Sequence, residues 1–297
     1  MTKQNLSFTH FFKILRPHQW VKNILVFTPM LLSHNFDIYN FILSIKAFII
    51  FSITASSIYI VNDIIDVKSD KNHPFKKYRP YAAGLITTNQ CNVLILILLI
   101  LCTLLLISTN KEFFFLIFFY FVISNLYTFF FKKIIIIDLL ILSALYTSRI
   151  LGGGFITDIY VSYWLLSFSI FFFISLASVK RLIELVNLNR FKKKFLHGRG
   201  YSIQDRKVIY RIASYTSWIS ILILIFYINS PQVTQLYTIP NILWIVCAVM
   251  FFWITRIIYV SNKGEIKDDP IVFAITDKIS YLCVLIILFI FWLGNTI

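Results

Sequence analysis

Phe48-Ile49-Ile50-Phe51-Ser52-Ile53-Thr54-Ala55-Ser56-Ser57-Ile58-Tyr59-Ile60-Val61 runs directly into Asn62-Asp63-Ile64-Ile65-Asp66-Val67-Lys68-Ser69-Asp70. An almost wholly apolar run, long enough to sit in a bilayer, thus ends in three carboxylates. Asp63, Asp66 and Asp70 are spaced i, i+3, i+7, which places them on one face of a helix at about 3.6 residues per turn. Like charges stacked there repel unless a cation sits among them. Hard oxygen donors with no His or Cys beside them suit Mg²⁺, which keeps several waters and shares phosphate oxygens. The plainer alternative is a solvated helix end with ordinary surface carboxylates. Acidic residues are scarce in this chain, so a cluster of them favours the metal reading.

The rest of the sequence has the composition of a membrane protein. Of 297 residues, 59% are hydrophobic and only 14% are charged, against about 25% charged in a soluble domain. Mean hydropathy is +0.80. Met1 to Gln19 lacks the apolar core of a cleaved signal. The cysteines, Cys91, Cys102, Cys247 and Cys283, are scattered and read as small core residues. The formal charge of +15 would suggest nucleic acid in a soluble chain. Here orientation in a membrane accounts for it, and no nucleic-acid partner is expected.

Nine apolar segments are each near the length needed to span, at residues 20–34, 41–62, 92–109, 113–131, 134–152, 161–179, 212–229, 240–260 and 271–294. The expected fold is all-α, a polytopic bundle of nine transmembrane helices with cytoplasmic cap loops, forming one domain over residues 1–297. Pro29 interrupts the first segment and predicts a tilt or kink there. Lys and Arg fall on alternate connections: Lys3, Lys13, Arg16 and Lys22; Lys68 to Arg79; Lys132 and Lys133; ten between Lys180 and Arg211; and Arg256, Lys263 and Lys267. Lys111 is the clear exception. The positive-inside rule then puts the N-terminus and the carboxylate stretch in the cytoplasm and the C-terminus outside. Anionic membrane lipids would meet the basic loops.

Two polar excursions follow from this topology. The first, Asp63 to Thr88, holds Asn72-His73-Pro74-Phe75-Lys76-Lys77-Tyr78-Arg79-Pro80. Lys76, Lys77 and Arg79 are placed to take phosphate charge that a metal leaves unneutralised; prolines on both sides restrict the backbone around Arg79. His73 reads as a loop residue. The second, Val179 to Arg211, opens with Lys180-Arg181-Leu182-Ile183-Glu184. Glu184 lies i+4 from Lys180 and i+3 from Arg181, so either pair fits one helix face. The group reads as a phosphate-binding site or as a membrane-interface anchor. Lys192-Lys193-Lys194 reads as a headgroup anchor, and His197 to Ser202 as a loop.

Within the membrane, Arg149 precedes Gly152-Gly153-Gly154. An intramembrane Arg is costly and usually faces a cavity or a partner. Asp138 is expected to pair with Arg149 or with cytoplasmic cations. Asp269 and Asp277 remain ambiguous, and Asp277 with Lys278 reads as a polar contact within the bundle.

These residues carry a family resemblance. The nine segments, the N-D-x-x-D-x-x-x-D stretch after the second and the polar loop after the sixth resemble the UbiA superfamily of membrane prenyltransferases. Arg16-Pro17-His18-Gln19-Trp20-Val21-Lys22-Asn23, Tyr59 to Asp63, His73-Pro74 through Arg79-Pro80-Tyr81-Ala82-Ala83-Gly84, Arg149 to Gly153 and Lys180 to Leu185 resemble its decaprenyl-phosphate phosphoribosyltransferase branch.

The resemblance implies Mg²⁺-dependent transfer of a phosphoribosyl group from phosphoribosyl pyrophosphate to a polyprenyl phosphate at the cytoplasmic face of a bacterial inner membrane. Asp63, Asp66 and Asp70 would hold the metal, and Asn62 would orient its shell or a ribose hydroxyl. Arg79 with Lys76 or Lys77 would share the pyrophosphate charge. Lys22 and Arg149, or Lys180 and Arg181 with Glu184, would hold phosphates. A homo-oligomer is compatible with all of this. Aromatic prenyltransferases of the superfamily carry a second aspartate pair where this chain has Lys180 to Glu184, and that departure favours the phosphoribosyl reading. Two other readings stay open: prenyl transfer from a lipid diphosphate onto an aromatic ring, and a transporter. The transporter predicts inverted repeats, and the second half has no counterpart of the carboxylate stretch.

Overall fold

The first expected span is where sequence and structure part. In the computed structural model, which describes residues 8–34, 36–72, 76–190, 198–231, 233, 237–266 and 269–296, residues 20–34 do not form one helix. A short helix α1 (Phe8–Ile14) leads to Arg16, whose backbone is left-handed at φ 53°. A 3₁₀ helix then runs over Pro17–Phe27, followed by a five-residue helix α2 (Thr28–Leu32). Pro17 and Pro29 each lack an N–H and start rather than continue a helical run.

The remaining segments form helices close to where the apolar runs predict them. These are α3 (Ile38–Ile65), α4 (Val67–Lys71), α5 (Thr88–Leu106), α6 (Lys111–Phe129), α7 (Ile137–Thr157), α8 (Tyr163–Arg190), α9 (Arg206–Ile228), α10 (Leu243–Lys263), α11 (Pro270–Ala274) and α12 (Lys278–Thr296). Among the described residues, seven helices are long and apolar enough to cross a membrane, and α12 is a further apolar helix. No β-strand occurs among the described residues. Large apolar side chains such as Leu96, Leu104, Phe115, Phe118 and Leu285 lie exposed on these helices, as a bilayer rather than water requires. The chain is an all-α, multi-pass membrane protein.

The chain forms two compact units. The first comprises residues 1–133 and 148–161, and the second 134–147 and 162–297. In the first, α3 is the central helix, packed by the Pro17–Phe27 segment, α5 and α6. Its inner face buries Ile50, Phe51, Ala55 and Ile58 together with Ser52, Thr54, Ser56 and Ser57. Small residues let backbones approach where lipid gives no hydrophobic drive between helices. Their hydroxyls are satisfied locally: Ser52 donates to the Phe48 carbonyl at 2.7 Å and Thr54 to that of Ile50 at 2.8 Å. Trp20 Nε1 donates to Ser56 Oγ and Asn23 Nδ2 to Ser52 Oγ, each at 3.0 Å. These bonds fasten the 3₁₀ segment onto α3. Gly153, on the half of α7 in this unit, faces the Val26 carbonyl so closely that a methyl group would collide with it.

In the second unit α8 packs against α9 and α10, and α10 against α12. Leu139, Ala177, Leu182, Leu185, Tyr201 and Ile209 form one of its cores. Cys91 and Cys102 in the first unit and Cys247 and Cys283 in the second are free thiols and buried.

Candidate active site

The apolar run of α3 ends at Ile65, and Asp66 joins it to α4 with helical hydrogen bonding carried through. The Asp66 N–H donates to the Asn62 carbonyl at 2.9 Å and the Asp70 N–H to that of Asp66 at 2.8 Å. Helical hydrogen bonding thus runs on through the three carboxylates, and Asp63 and Asp70, seven residues apart, share one cation. Asp63 and Asp70 are each 2% exposed, a depth at which a carboxylate requires a partner.

Each carboxylate has a cation. Arg16 Nη2 donates to Asp63 Oδ1. Arg79 Nη1 lies 3.3 Å from Asp63 Oδ1 and 2.5 Å from Asp70 Oδ2, so one guanidinium nitrogen bridges the two. Lys132 Nζ lies 2.8 and 3.0 Å from the two oxygens of Asp66. The guanidinium of Arg16 also sits 5.2 Å from the Tyr59 ring centre, a cation–π distance. Arg16 and Lys132 were not among the site residues expected from sequence. Their partners lie 47 and 66 residues away, beyond any local spacing signal. Only the Arg16-Pro17 motif hinted at the first.

Asn62 Oδ1 and Asp63 Oδ2 are buried without a hydrogen-bond partner. A carboxamide oxygen and a carboxylate oxygen left open at that depth fit a hard divalent cation. Among the described residues no three carboxylate, His or Cys side chains converge on one point. The set suits an ion bound by few protein oxygens, with waters and phosphate completing its shell.

The other expected residues are placed as follows. Lys76 and Lys77 are exposed on a 3₁₀ turn, Lys76–Tyr78, with Lys77 Nζ 5.1 Å from the Tyr78 ring centre. Lys22 is buried in the 3₁₀ segment. Arg149 does not meet Asp138. It belongs to the first unit, where Nε donates to Asn23 Oδ1 at 2.7 Å, Nη2 donates to the Tyr120 hydroxyl at 2.9 Å, and the guanidinium lies 5.2 Å from the Tyr120 ring centre. His73, Pro74, Lys192, Lys193, Lys194 and His197 fall outside the described residues.

The second unit holds a separate ionic cluster. Arg181, wholly buried, donates to both oxygens of Asp138 at 2.5 and 2.9 Å and to Glu184 at 2.8 Å. Arg199 approaches Asp138 at 3.3 Å and Glu184 at 3.4 Å. The Tyr201 hydroxyl donates to Asp138 at 3.0 Å. Burial, with the Asp138 charge, pushes the Tyr201 phenol above its ordinary pKa, which keeps it a donor. Of the two pairings open to Glu184, the i+3 one with Arg181 forms. Lys180 turns instead to Asp269 at 2.9 Å, and Asp269 also caps α11 through the Ile271 N–H. Asp277 pairs with Arg256 at 2.7 and 2.9 Å. Asp138 is thus matched by Arg181 and Arg199, cations of the second polar excursion.

The model of the UbiA prenyltransferase family matches residues 24–194. The chain belongs to the UbiA prenyltransferase family. It is 32% identical to nodulation protein NoeC of Azorhizobium caulinodans over 94% of this chain and 91% of that one. It is 26% identical to decaprenyl-phosphate phosphoribosyltransferase of Mycolicibacterium smegmatis over 95% of this chain and 90% of that one. Its fold matches that of a UbiA homolog from Archaeoglobus fulgidus bound to DMAPP and Mg²⁺, with a TM-score of 0.71 at 12% identity over 95% and 99% of the two chains. UbiA membership makes this chain a membrane transferase.

Proposed function

We propose that the whole chain works as a pentosyltransferase. It moves the 5-phosphoribosyl group of phosphoribosyl pyrophosphate onto a polyprenyl phosphate and releases pyrophosphate, with the site at the cytoplasmic face of a bacterial inner membrane and the N-terminus inside. The observation that carries this is the pairing of Asp63 and Asp70 with Arg16 and Arg79, and of Asp66 with Lys132, at the end of a membrane helix. Oxygens for a metal and cations for phosphate stand together there, as a diphosphate leaving group demands. The Mycolicibacterium relative, alike over most of both chains, supports a phosphoribosyl donor and a polyprenyl phosphate acceptor. The single carboxylate of Lys180 to Glu184, in place of a second aspartate pair, supports the same choice.

Mg²⁺, held by Asp63, Asp66 or Asp70 with Asn62 beside it, would neutralise the charge that develops on departing pyrophosphate. Arg79, already between two carboxylates, is placed to swing one N–H onto a phosphate oxygen while another holds Asp70. Lys76 and Lys77 offer exposed positive charges, and Lys22 a buried one. An acceptor phosphate is anionic at neutral pH, so these residues need only position and stabilise. No general base is required of them. Lys180 and Arg181 with Glu184 are proposed to hold a phosphate, with Asp138 and Asp269 fixing the cations.

The test is transfer by purified protein in detergent, supplied with radiolabelled phosphoribosyl pyrophosphate, a polyprenyl phosphate and Mg²⁺. Label should move into the organic phase and stay behind with EDTA or with Asp66→Ala. Transfer from a prenyl diphosphate to an aromatic acid, with no phosphoribosyl transfer, would replace this reading with aromatic prenylation.

A further inference from the structure

We infer that Arg16, Arg79 and Lys132 are resident counter-ions that keep a divalent metal out of the carboxylates until a diphosphate takes these cations over, so that metal and diphosphate bind together and neither binds well alone. The inference rests on the metal–diphosphate part of the proposed function.

Asp63 and Asp70 are linked to Arg16 and Arg79 in one buried network, and Asp66 pairs with Lys132 on the same helical stretch, so three carboxylates are balanced by three cations. Lys132 is 8% exposed and grips both oxygens of Asp66. Arg79 occupies one oxygen each of Asp63 and Asp70, and Arg16 shares that oxygen of Asp63. A divalent ion entering this cluster alone would add two positive charges to a balanced set. It would also push buried cations away from their partners, and a buried charge without a partner is strongly disfavoured. A diphosphate arriving with the ion reverses both effects. Its oxygens complete the metal's shell, and they accept the N–H groups of Lys132, Arg16 and Arg79 as the carboxylates turn to the metal. Each ligand then raises the affinity of the other, and the coupling is reciprocal. The same pairings account for Asp63 Oδ2 standing open while Oδ1 carries two cations.

The inference predicts an unusual direction of change. Removing a cation from an active site should tighten its hold on a cation. Detergent-purified protein is titrated with Mn²⁺, and free Mn²⁺ is read by electron paramagnetic resonance, for the wild type, Lys132→Met and Arg16→Gln. The same titration is repeated with inorganic pyrophosphate at matched free Mn²⁺. Wild type should bind Mn²⁺ weakly alone and about tenfold or more tightly with pyrophosphate. Lys132→Met should bind Mn²⁺ alone about tenfold more tightly than wild type, and pyrophosphate should add less. Arg16→Gln should shift the same way, which keeps the test standing if one variant fails to fold. Folded variants that bind Mn²⁺ no better than wild type, or a wild type indifferent to pyrophosphate, would overturn the inference. Absence of phosphoribosyl transfer with these binding results intact would instead strike the donor assignment alone.

Discussion

Arg149 Nε donates to Asn23 Oδ1 at 2.7 Å, a buried bond between the second half of α7 and the 3₁₀ segment that replaces an expected membrane span. Tyr120 takes a second N–H. Arg149→Met leaves both oxygens without this donor, and each loss should cost about 1–3 kcal/mol. Thermal unfolding in detergent should show a clearly lower midpoint for Arg149→Met and for Asn23→Leu. The double variant should fall well short of the sum of the two. Full additivity would mean that the two residues do not support each other.

Two glycines should respond to alanine for different reasons and by different amounts. Gly84 has φ +73° and open space around its Cα, so Gly84→Ala costs only backbone strain, about 1–2 kcal/mol. Gly153 meets the Val26 carbonyl, which is backbone and cannot rotate aside. Gly153→Ala should separate the 3₁₀ segment from α7 and lose most monodisperse protein in size-exclusion chromatography, while Gly84→Ala keeps it. Equal behaviour would argue against the close crossing.

The Asp138 cluster gives a graded series. Asp138→Asn removes the buried carboxylate that takes two N–H groups of Arg181 and leaves Glu184 as its remaining anion, a change worth about 3 kcal/mol. Tyr201→Phe removes one neutral donor, worth about 1 kcal/mol. Unfolding measurements should rank the two in that order. A Tyr201→Phe loss as large as that of Asp138→Asn would show that the phenol, not the guanidinium, holds Asp138.

Activity should track the geometry around Arg79. A Lys at this position keeps the charge but has one nitrogen for both carboxylates and a phosphate, whereas Arg79 bridges Asp63 and Asp70 with Nη1 and has further N–H groups on its fork to turn to a phosphate. Arg79→Lys should lower the proposed phosphoribosyl transfer at least about tenfold, and Asp66→Ala by about 100-fold or more. An Arg79→Lys enzyme at wild-type rate would show that the bridge has no part in turnover.

The helices were legible because long apolar runs bounded by charge admit few structures in lipid, and the seven-residue spacing of Asp63 and Asp70 told that one group could reach both. The first apolar segment was the exception. Its hydropathy resembled a span, but Pro17 and Pro29 turned it into short pieces fastened by Trp20 and Asn23. Arg79 was readable because it follows its carboxylates closely in sequence. Arg16 and Lys132 were hidden among cations that orientation already explained, since a contact across 66 residues leaves no local pattern. For the same reason the partner of Asp138 was open between Arg149 and the loop cations until α8 brought Arg181 to it.

The buried thiols have a practical consequence for finding which side of the bilayer each loop occupies. With Cys91, Cys102, Cys247 and Cys283 all enclosed, the native chain should be silent toward membrane-impermeant maleimides, so reporter cysteines can be introduced without first removing any. Lys76 and Lys111 are both exposed. In intact cells, Lys111→Cys should take up the reagent from outside, and Lys76→Cys should react only after the membrane is opened.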